Sequence, residues 1–347
     1  MDASIIIQFV LLIVGFVFLI KGSDFFVDGA SSIASILKIP TIIVGLTIVA
    51  FGTSAPEAAV SITSSLTGSN AMAVSNVIGS NLFNMLMVIG ICALLGDLLI
   101  EKNVLEKDLP FLVAITVLFG VFIFLGWNIS SIEGIILLII LIGYIIYLIR
   151  STKNSNNANY VEKPKLTLPK SIIFIVIGLA GIILGGDLVV NSASDIAIAF
   201  GMSETLVGLT IVAIGTSLPE LVTSLTALKK GENQLVIGNV IGSNIFNILF
   251  VLGASSAISA ITLSSQMLID VCFMVFVTVL FFIFGKTQDK FDRKEGAVLV
   301  ALFIIYMIFA ILRNWFFHLT SLANIRWSRL TANFTFIKAC GYIIFKS

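Results

Sequence analysis

The feature that most constrains this chain is a polar motif that occurs twice. Residues 45–90 and 208–253 align without a gap at an offset of 163, and 26 of the 46 positions are identical. The identities concentrate in GTS-x-PE, which is Gly52–Glu57 in the first copy, and in NVIGSN-x-F-N, which is Asn76–Asn84. Chance similarity between apolar helices would preserve Leu, Ile and Val rather than a Glu, a Pro and several Asn. The chain therefore contains a duplicated unit with polar residues in apolar surroundings, where each one is costly.

The composition is typical of an integral membrane protein. Hydrophobic residues make up 58% of the 347 residues and charged residues 11%, whereas soluble domains carry about 25% charged residues. The net charge of +1 argues against a nucleic-acid partner. Cys92, Cys272 and Cys340 are scattered, so we expect neither a disulfide framework nor a zinc site. Asp2 stands where a signal peptide would be basic, so the first apolar run is predicted to be a retained helix.

Apolar runs of about 20 residues, the length that crosses a bilayer, predict the fold. We predict an all-α membrane protein with ten transmembrane helices, arranged as two inverted five-helix repeats. The predicted parts are a first repeat at 1–150, a linker at 151–170, a second, inverted repeat at 171–317, and a C-terminal extension without an assigned role at 318–347. The predicted helices cover residues 4–31, 40–67, 71–95, 108–126, 130–149, 171–199, 203–228, 234–259, 265–284 and 296–315.

The number of helices in each repeat sets the relative orientation of the two copies. Gly22 and Asp24 match Gly185 and Asp187 at the same offset, so the duplication includes the helix before the motif. Five is an odd number, and the second copy must therefore insert the opposite way up. If both termini are outside, the outside loops between helices hold no Lys or Arg, whereas the inside loops hold many. We expect a multi-pass protein of the cell membrane with the 151–170 linker in the cytoplasm.

The second helix is predicted to break near the middle of the membrane. Pro56 has no N–H, and its ring clashes with the carbonyl of Gly52, so that carbonyl loses its helical partner. Irregular backbone at this depth is tolerated where it lines a cavity. Thr53 and Ser54 can share a helix face with Glu57. The seventh helix repeats the pattern with Gly215, Thr216, Ser217, Pro219 and Glu220.

The third and eighth helices each carry a stripe of polar residues at intervals of four. The stripes consist of Asn76, Ser80 and Asn84 on one helix and Asn239, Ser243 and Asn247 on the other. Two further asparagines, Asn81 and Asn244, lie slightly off these stripes. For the pairs Asn76/Asn239 and Asn81/Asn244 the pattern is compatible both with ion binding and with bridging between helices.

Inversion of one repeat onto the other is expected to bring the four polar stripes together at the midplane. The groups there would be two carboxylates, hydroxyls, amide oxygens and freed carbonyls, with no thiolate and no imidazole. Oxygen ligands suit hard cations, and Ca²⁺ prefers about 6–8 of them. The charge of Glu57 and Glu220, −2 in total, would be balanced by one Ca²⁺ or by two Na⁺, which gives a physical basis for competition between the ions.

In its duplicated GTS-x-PE and GSN-x-x-N motifs the chain resembles the cation/calcium antiporter superfamily, most closely its prokaryotic sodium/calcium exchangers. The resemblance implies ten helices in two inverted halves, with ions bound among helices 2, 3, 7 and 8. It also implies electrogenic exchange of three Na⁺ for one Ca²⁺ by alternating access. The implied ligands are side chains of Glu57, Glu220, Ser54, Ser217, Ser80, Ser243, Asn84 and Asn247, and backbone carbonyls of Ala50, Thr53, Ala213 and Thr216.

The sequence leaves alternatives for the coupling ion and the class of protein. Asn247 stands where potassium-dependent relatives tend to carry Asp, so we expect exchange that is independent of K⁺. An antiporter of H⁺ with Ca²⁺ or another divalent cation would have the same fold, although proton-coupled relatives typically carry an acid in this motif. An intramembrane hydrolase could use Glu57 and Glu220 as acid and base, but no nucleophile–base constellation or zinc ligand set accompanies them. We therefore expect a monomeric transporter of Na⁺ and Ca²⁺, not an enzyme, without a cofactor.

Overall fold

The computed structural model describes residues 3–68, 70–126, 128–154, 164–202, 211, 213–262 and 265–313. Within these ranges the chain is helical apart from short connections and four two-residue strands. The helices are α1 (Ala3–Leu37), α2 (Thr41–Thr53), α3 (Ala55–Leu66), α4 (Ala71–Leu95), α5 (Val104–Phe124), α6 (Ser131–Asn154), α7 (Leu168–Ala199), α8 (Ala213–Gly215), α9 (Leu218–Lys229), α10 (Asn233–Ile258), α11 (Ser265–Gln288) and α12 (Arg293–Arg313). The strands are β1 (Leu98–Leu99), β2 (Asn128–Ile129), β3 (Ile261–Thr262) and β4 (Lys290–Phe291).

The expected all-α membrane fold is confirmed. Among the described residues, eight helices are long and apolar enough to cross a membrane, and α2 with α3 makes a ninth span that is bent by 49°. Much of the predicted seventh helix, at 203–210 and 212, lies outside the described residues, as does the predicted extension at 318–347. Helices α6 and α7 reach into the predicted 151–170 linker from both sides, because helical hydrogen bonding does not stop where the apolar run stops.

Helices α4 and α10 lie at the centre of the fold. Over their most apolar stretches, 78% of α4 and 94% of α10 are buried, whereas the value for α1 is 17%. The polar stripes predicted from the sequence lie on these two central helices. The apolar outer surface of α1 and α7 is left exposed in the isolated chain, as expected for helices that face lipid.

The strands join the first half of the chain to the second half. Strand β1 pairs antiparallel with β4, with Leu98 opposite Phe291, and β2 pairs antiparallel with β3, with Asn128 opposite Thr262. Beside the first pair, Lys290 Nζ donates a hydrogen bond to Asp97 Oδ2 at 2.6 Å. This bond raises the pKa of Lys290 above its ordinary value. The loops of the two halves therefore close on each other through backbone pairing.

Close backbone contact holds α1 against α7. A Cβ atom at Gly178 would lie 2.7 Å from the carbonyl oxygen of Gly22, and one at Gly22 would lie 2.8 Å from that of Gly178. Gly15 and Gly185 make the same kind of close approach about two helical turns away along each helix. Small residues that let helix backbones approach are a general means of helix association in lipid, so this contact depends on glycine at each position.

We predict that Gly178→Ala lowers the thermal stability of the purified protein, because its methyl group would overlap the backbone of α1. Overpacking of this kind costs about 1–3 kcal/mol. The matched control is Gly143→Ala on α6, where a Cβ atom meets nothing within 4 Å and where removal of a helical glycine favours the fold by about 0.5–1 kcal/mol. Melting curves in detergent would compare the two variants, and equal melting temperatures would contradict the proposed packing.

Candidate ion-binding site

Two helix breaks position the site. Ser54 separates α2 from α3 with φ −83° and ψ 7°, and Pro56 lies in the first turn of α3. Ser217 precedes α9 with φ −97° and ψ 7°, and Pro219 lies in the first turn of that helix. A proline is well accommodated there because the N–H that it lacks would have no partner within the helix. The bend of 49° between α2 and α3 confirms the break predicted at Pro56.

The two glutamates follow directly after these prolines and are fully buried. Ser54 Oγ donates to Glu220 Oε1 at 3.1 Å, and Ser217 Oγ lies within hydrogen-bonding distance of Glu57 Oε1 at 3.0 Å. Each carboxylate is therefore paired with the serine of the other break. Ser80 Oγ of α4 approaches Glu57 Oε1 at 3.4 Å. These crossed contacts bring the two breaks together in one site.

Asn76 and Asn239 hold the backbone that carries the glutamates. Asn76 Nδ2 donates to the carbonyl oxygen of Glu57 at 3.2 Å and to a serine hydroxyl of α3 at 2.9 Å. Asn239 Nδ2 donates to the carbonyl oxygen of Glu220 at 3.4 Å and to a serine hydroxyl of α9 at 3.0 Å. Both asparagines thus bridge helices, one of the two roles that the sequence left open. The two serines were missed by sequence reasoning but are identical at the 163-residue offset: Ser61 and Ser224.

A second set of polar contacts joins α2 to α10. Thr53 Oγ1 donates to Asn239 Oδ1 at 3.0 Å and lies 3.4 Å from Ser243 Oγ. Ser243 Oγ in turn donates to the carbonyl oxygen of Ala50 at 3.5 Å. The predicted ligands Ala50, Thr53 and Ser243 are therefore neighbours, and all three residues are buried.

Four buried carboxylate and amide oxygen atoms in this region accept no hydrogen bond from the described residues. They are one oxygen of each glutamate and of two asparagines: Glu57 Oε2, Glu220 Oε2, Asn84 Oδ1 and Asn247 Oδ1. All four residues are fully buried. Buried polar atoms are nearly always paired, so each exception needs an explanation. Two carboxylate and two amide oxygens form the kind of donor set that a hard cation binds.

Two further predicted ligands, Thr216 and Ala213, lie just before the second helix break. Thr216 Oγ1 is buried and has no hydrogen-bond partner among the described residues. Ala213 begins α8, which packs against α4, but its side chain lies outside the described residues.

Other acids make separate contacts away from the two breaks. Lys230 Nζ lies 3.5 Å from Asp24 Oδ1 and 2.9 Å from Asp28 Oδ1, so the acids of α1 form ion pairs. Asp108 on α5 accepts a hydrogen bond from the hydroxyl of Tyr144 at 2.9 Å. In the described part of the chain, no three His, Cys, Asp or Glu residues come together as a metal site. The candidate site thus combines only two acids with neutral oxygens.

Comparison with known sequences assigns the chain to a family. The family described as "Sodium/calcium exchanger protein" matches residues 7–150 and 170–312, which include both copies of the motif. The chain belongs to this family. Its members are antiporters of Ca²⁺ and other cations, so the protein is a multi-pass membrane transporter, as the resemblance implied.

Individual relatives align with this chain over most of their length. The sodium/calcium exchanger MaX1 of Methanosarcina acetivorans is 31% identical over 346 residues, covering 88% of this chain and 98% of the relative. The inner membrane protein YrbG of Escherichia coli is 32% identical over 289 residues, covering 80% of this chain and 89% of the relative. A structure of the sodium-calcium exchanger NCX_Mj, soaked with Na⁺ and Sr²⁺, matches with a TM-score of 0.78 and 30% identity over 88% of this chain and 99% of that chain.

We predict that Glu57→Gln and Glu220→Gln each weaken Ca²⁺ binding by about 3 kcal/mol or more, the usual cost of removing one partner from a buried charge pair. This loss exceeds a hundredfold in affinity. The matched control is Asp108→Asn, which neutralises a buried acid outside the site while retaining an acceptor for Tyr144. Binding of ⁴⁵Ca²⁺ to purified protein would measure the effect, and an equal loss in the control would argue against a special role for the two glutamates.

Proposed function

We propose that the protein exchanges Na⁺ for Ca²⁺ across the cell membrane by alternating access. The observation that carries this proposal is the set of four buried oxygens, on Glu57, Glu220, Asn84 and Asn247, that accept no hydrogen bond within the described ranges. A pair of carboxylates with total charge −2 is neutralised by one Ca²⁺ or by two Na⁺. One Ca²⁺ can therefore replace two Na⁺ without leaving a net charge buried in the membrane, where uncompensated charge is costly.

The proposed stoichiometry is three Na⁺ for one Ca²⁺. Two hydroxyl-lined positions flank the carboxylates and support additional sites for a monovalent cation: Ser80 with Ser217, 3.0 Å apart, and Thr53 with Ser243, 3.4 Å apart. Two of the three Na⁺ balance the two carboxylates, so the third leaves the Na⁺-loaded site with a net charge of +1. One net charge then crosses the membrane in each cycle, which is worth about 2.3 kcal/mol per 100 mV. The neutral side chain of Asn247 supports exchange that does not require K⁺.

The proposed architecture is ten transmembrane helices in two inverted repeats, at 1–150 and 171–317, joined by a cytoplasmic linker. It is supported by the strand pairs, since β1 corresponds to β3 at the 163-residue offset and each pairs with a strand of the other half. The distribution of Lys and Arg supports the orientation. We further propose that the protein functions as a monomer.

We expect ⁴⁵Ca²⁺ to accumulate in proteoliposomes that are loaded with Na⁺ and diluted into Na⁺-free buffer. An inside-positive potential should increase the accumulation, because three Na⁺ leave for each Ca²⁺ that enters. Replacing K⁺ with choline on both sides, in vesicles without an imposed potential, should leave uptake unchanged. Vesicles containing Glu220→Gln provide the negative control. Uptake driven by a proton gradient but not by Na⁺ would instead identify the H⁺/Ca²⁺ antiporter.

We also predict that Asn84→Asp changes the ion preference, because a third carboxylate would make the charge of the site more negative, from −2 to −3. The variant should exchange Ca²⁺ with an altered dependence on Na⁺ concentration and on pH, while its expression remains close to that of the wild type. The same flux assay, repeated over a range of pH and Na⁺, measures this change. An unaltered ion profile would mean that Asn84 only packs against its neighbours.

A further inference from the structure

Four asparagines near the centre of α4 and α10 form reciprocal hydrogen bonds. Asn84 Nδ2 donates to Asn244 Oδ1 at 3.3 Å, and Asn247 Nδ2 donates to Asn81 Oδ1 at 3.2 Å. Each bond crosses from one helix to the other, and the two bonds are equivalent under the 163-residue offset. All four side chains are at most 1% exposed. The NH₂ groups of Asn84 and Asn247 are therefore both tied to the opposite helix.

These hydrogen bonds determine which end of the Asn84 and Asn247 amides is available to a ligand. A carboxamide has an acceptor oxygen and a donor NH₂ group on opposite branches of one planar group. Because the NH₂ groups of Asn84 and Asn247 are occupied, their Oδ1 atoms are the ends without a partner among the described residues. An amide without this tie could turn over with little change in shape and present its NH₂ group instead. That orientation would repel a cation.

The backbone supports different roles for two pairs of asparagines, Asn84 with Asn247 and Asn81 with Asn244. Asn84 and Asn247 each begin a π-helical turn, at Asn84–Val88 and Asn247–Leu252, and such turns are frequent at functional sites. Asn81 and Asn244 lie in the regular α-helix that precedes each of these turns. Asn81 is anchored further, since its Nδ2 donates to the backbone oxygen of Asn244 at 3.4 Å, whereas Asn244 Nδ2 has no partner among the described residues.

We propose that Asn81 and Asn244 are positioning residues, which orient the amides of Asn247 and Asn84 so that their oxygens face a bound cation. This inference rests on the proposed cation site. It places Asn81 and Asn244 outside the set of ligands, although they belong to the same motif as the ligands. Partners that orient metal ligands typically contribute a factor of about 10–100 in affinity.

The first test is the affinity for ⁴⁵Ca²⁺ of Asn81→Leu and Asn244→Leu, in which the side chain keeps its approximate volume but loses the acceptor. We expect each variant to bind Ca²⁺ about 10–100-fold more weakly. The control is Ser256→Ala, which removes a buried hydroxyl of α10 whose hydrogen bonds among the described residues go to its own helix. Its Ca²⁺ affinity should equal that of the wild type.

A double-mutant cycle tests the partners, because residues that act through one another are not additive. In an Asn247→Ala background, Asn81→Leu should have little further effect on Ca²⁺ affinity, and Asn244→Leu should have little effect in an Asn84→Ala background. The pairs on the same helix, Asn81 with Asn84 and Asn244 with Asn247, should show nearly additive losses. A purely structural bridge between helices would not produce this crossed pattern.

The outcomes separate this inference from the proposed function. If the wild type binds Ca²⁺ and both leucine variants retain its affinity, Asn81 and Asn244 do not position the ligands. A lower melting temperature at unchanged affinity would likewise overturn the inference in favour of simple bridging. If the wild type binds Ca²⁺ without exchanging it for Na⁺, the proposed function fails while the affinity measurements still decide the role of the asparagines. A wild type without Ca²⁺ binding would overturn both.

Discussion

Two carboxylates buried within a membrane protein are the constraint on which the rest of this structure depends. An ionised carboxylate in apolar surroundings is costly unless donors or a counter-charge compensate it. Glu57 and Glu220 each receive a hydroxyl from the opposite helix break, and asparagines of α4 and α10 hold the backbone at each glutamate. One oxygen of each carboxylate has no hydrogen-bond partner in the part of the chain that the structure describes. The surrounding protein thus compensates the two charges only in part.

The packing of α1 and α7 protects the irregular backbone at this centre. A Cβ atom at Gly52 would meet the rings and methyl groups of Phe26 on α1 and Leu179 on α7, and one at Gly215 would meet Val190 of α7. Non-helical backbone at membrane depth is tolerated only when it is covered by protein or lines a cavity. By holding α1 and α7 together, the glycine contacts therefore also keep side chains of these helices packed over both breaks.

Neutral oxygens around the two acids match the exchange that we propose. With amides at Asn84 and Asn247, the charge of the site stays at −2, so one Ca²⁺ leaves the site neutral and three Na⁺ leave it with the net charge of +1 that makes the proposed exchange electrogenic. An amide differs from a carboxylate in having a donor end as well as an acceptor end, so its orientation must be set. The reciprocal bonds to Asn81 and Asn244 meet this requirement without adding charge.

The sequence by itself determined the membrane fold, the duplication and the break at Pro56, and it predicted most members of the candidate site, because composition, helix length and proline chemistry act locally. It indicated which helix face was polar, and therefore found Glu57, Glu220 and the asparagine stripes. Only the tertiary structure decided their partners. Ser54 pairs with Glu220 and Ser217 with Glu57 across about 160 residues of sequence, and Asn76 binds backbone rather than leaving its amide free. Periodicity assigns a side chain to a face, whereas its partner depends on which helix packs there and at what height.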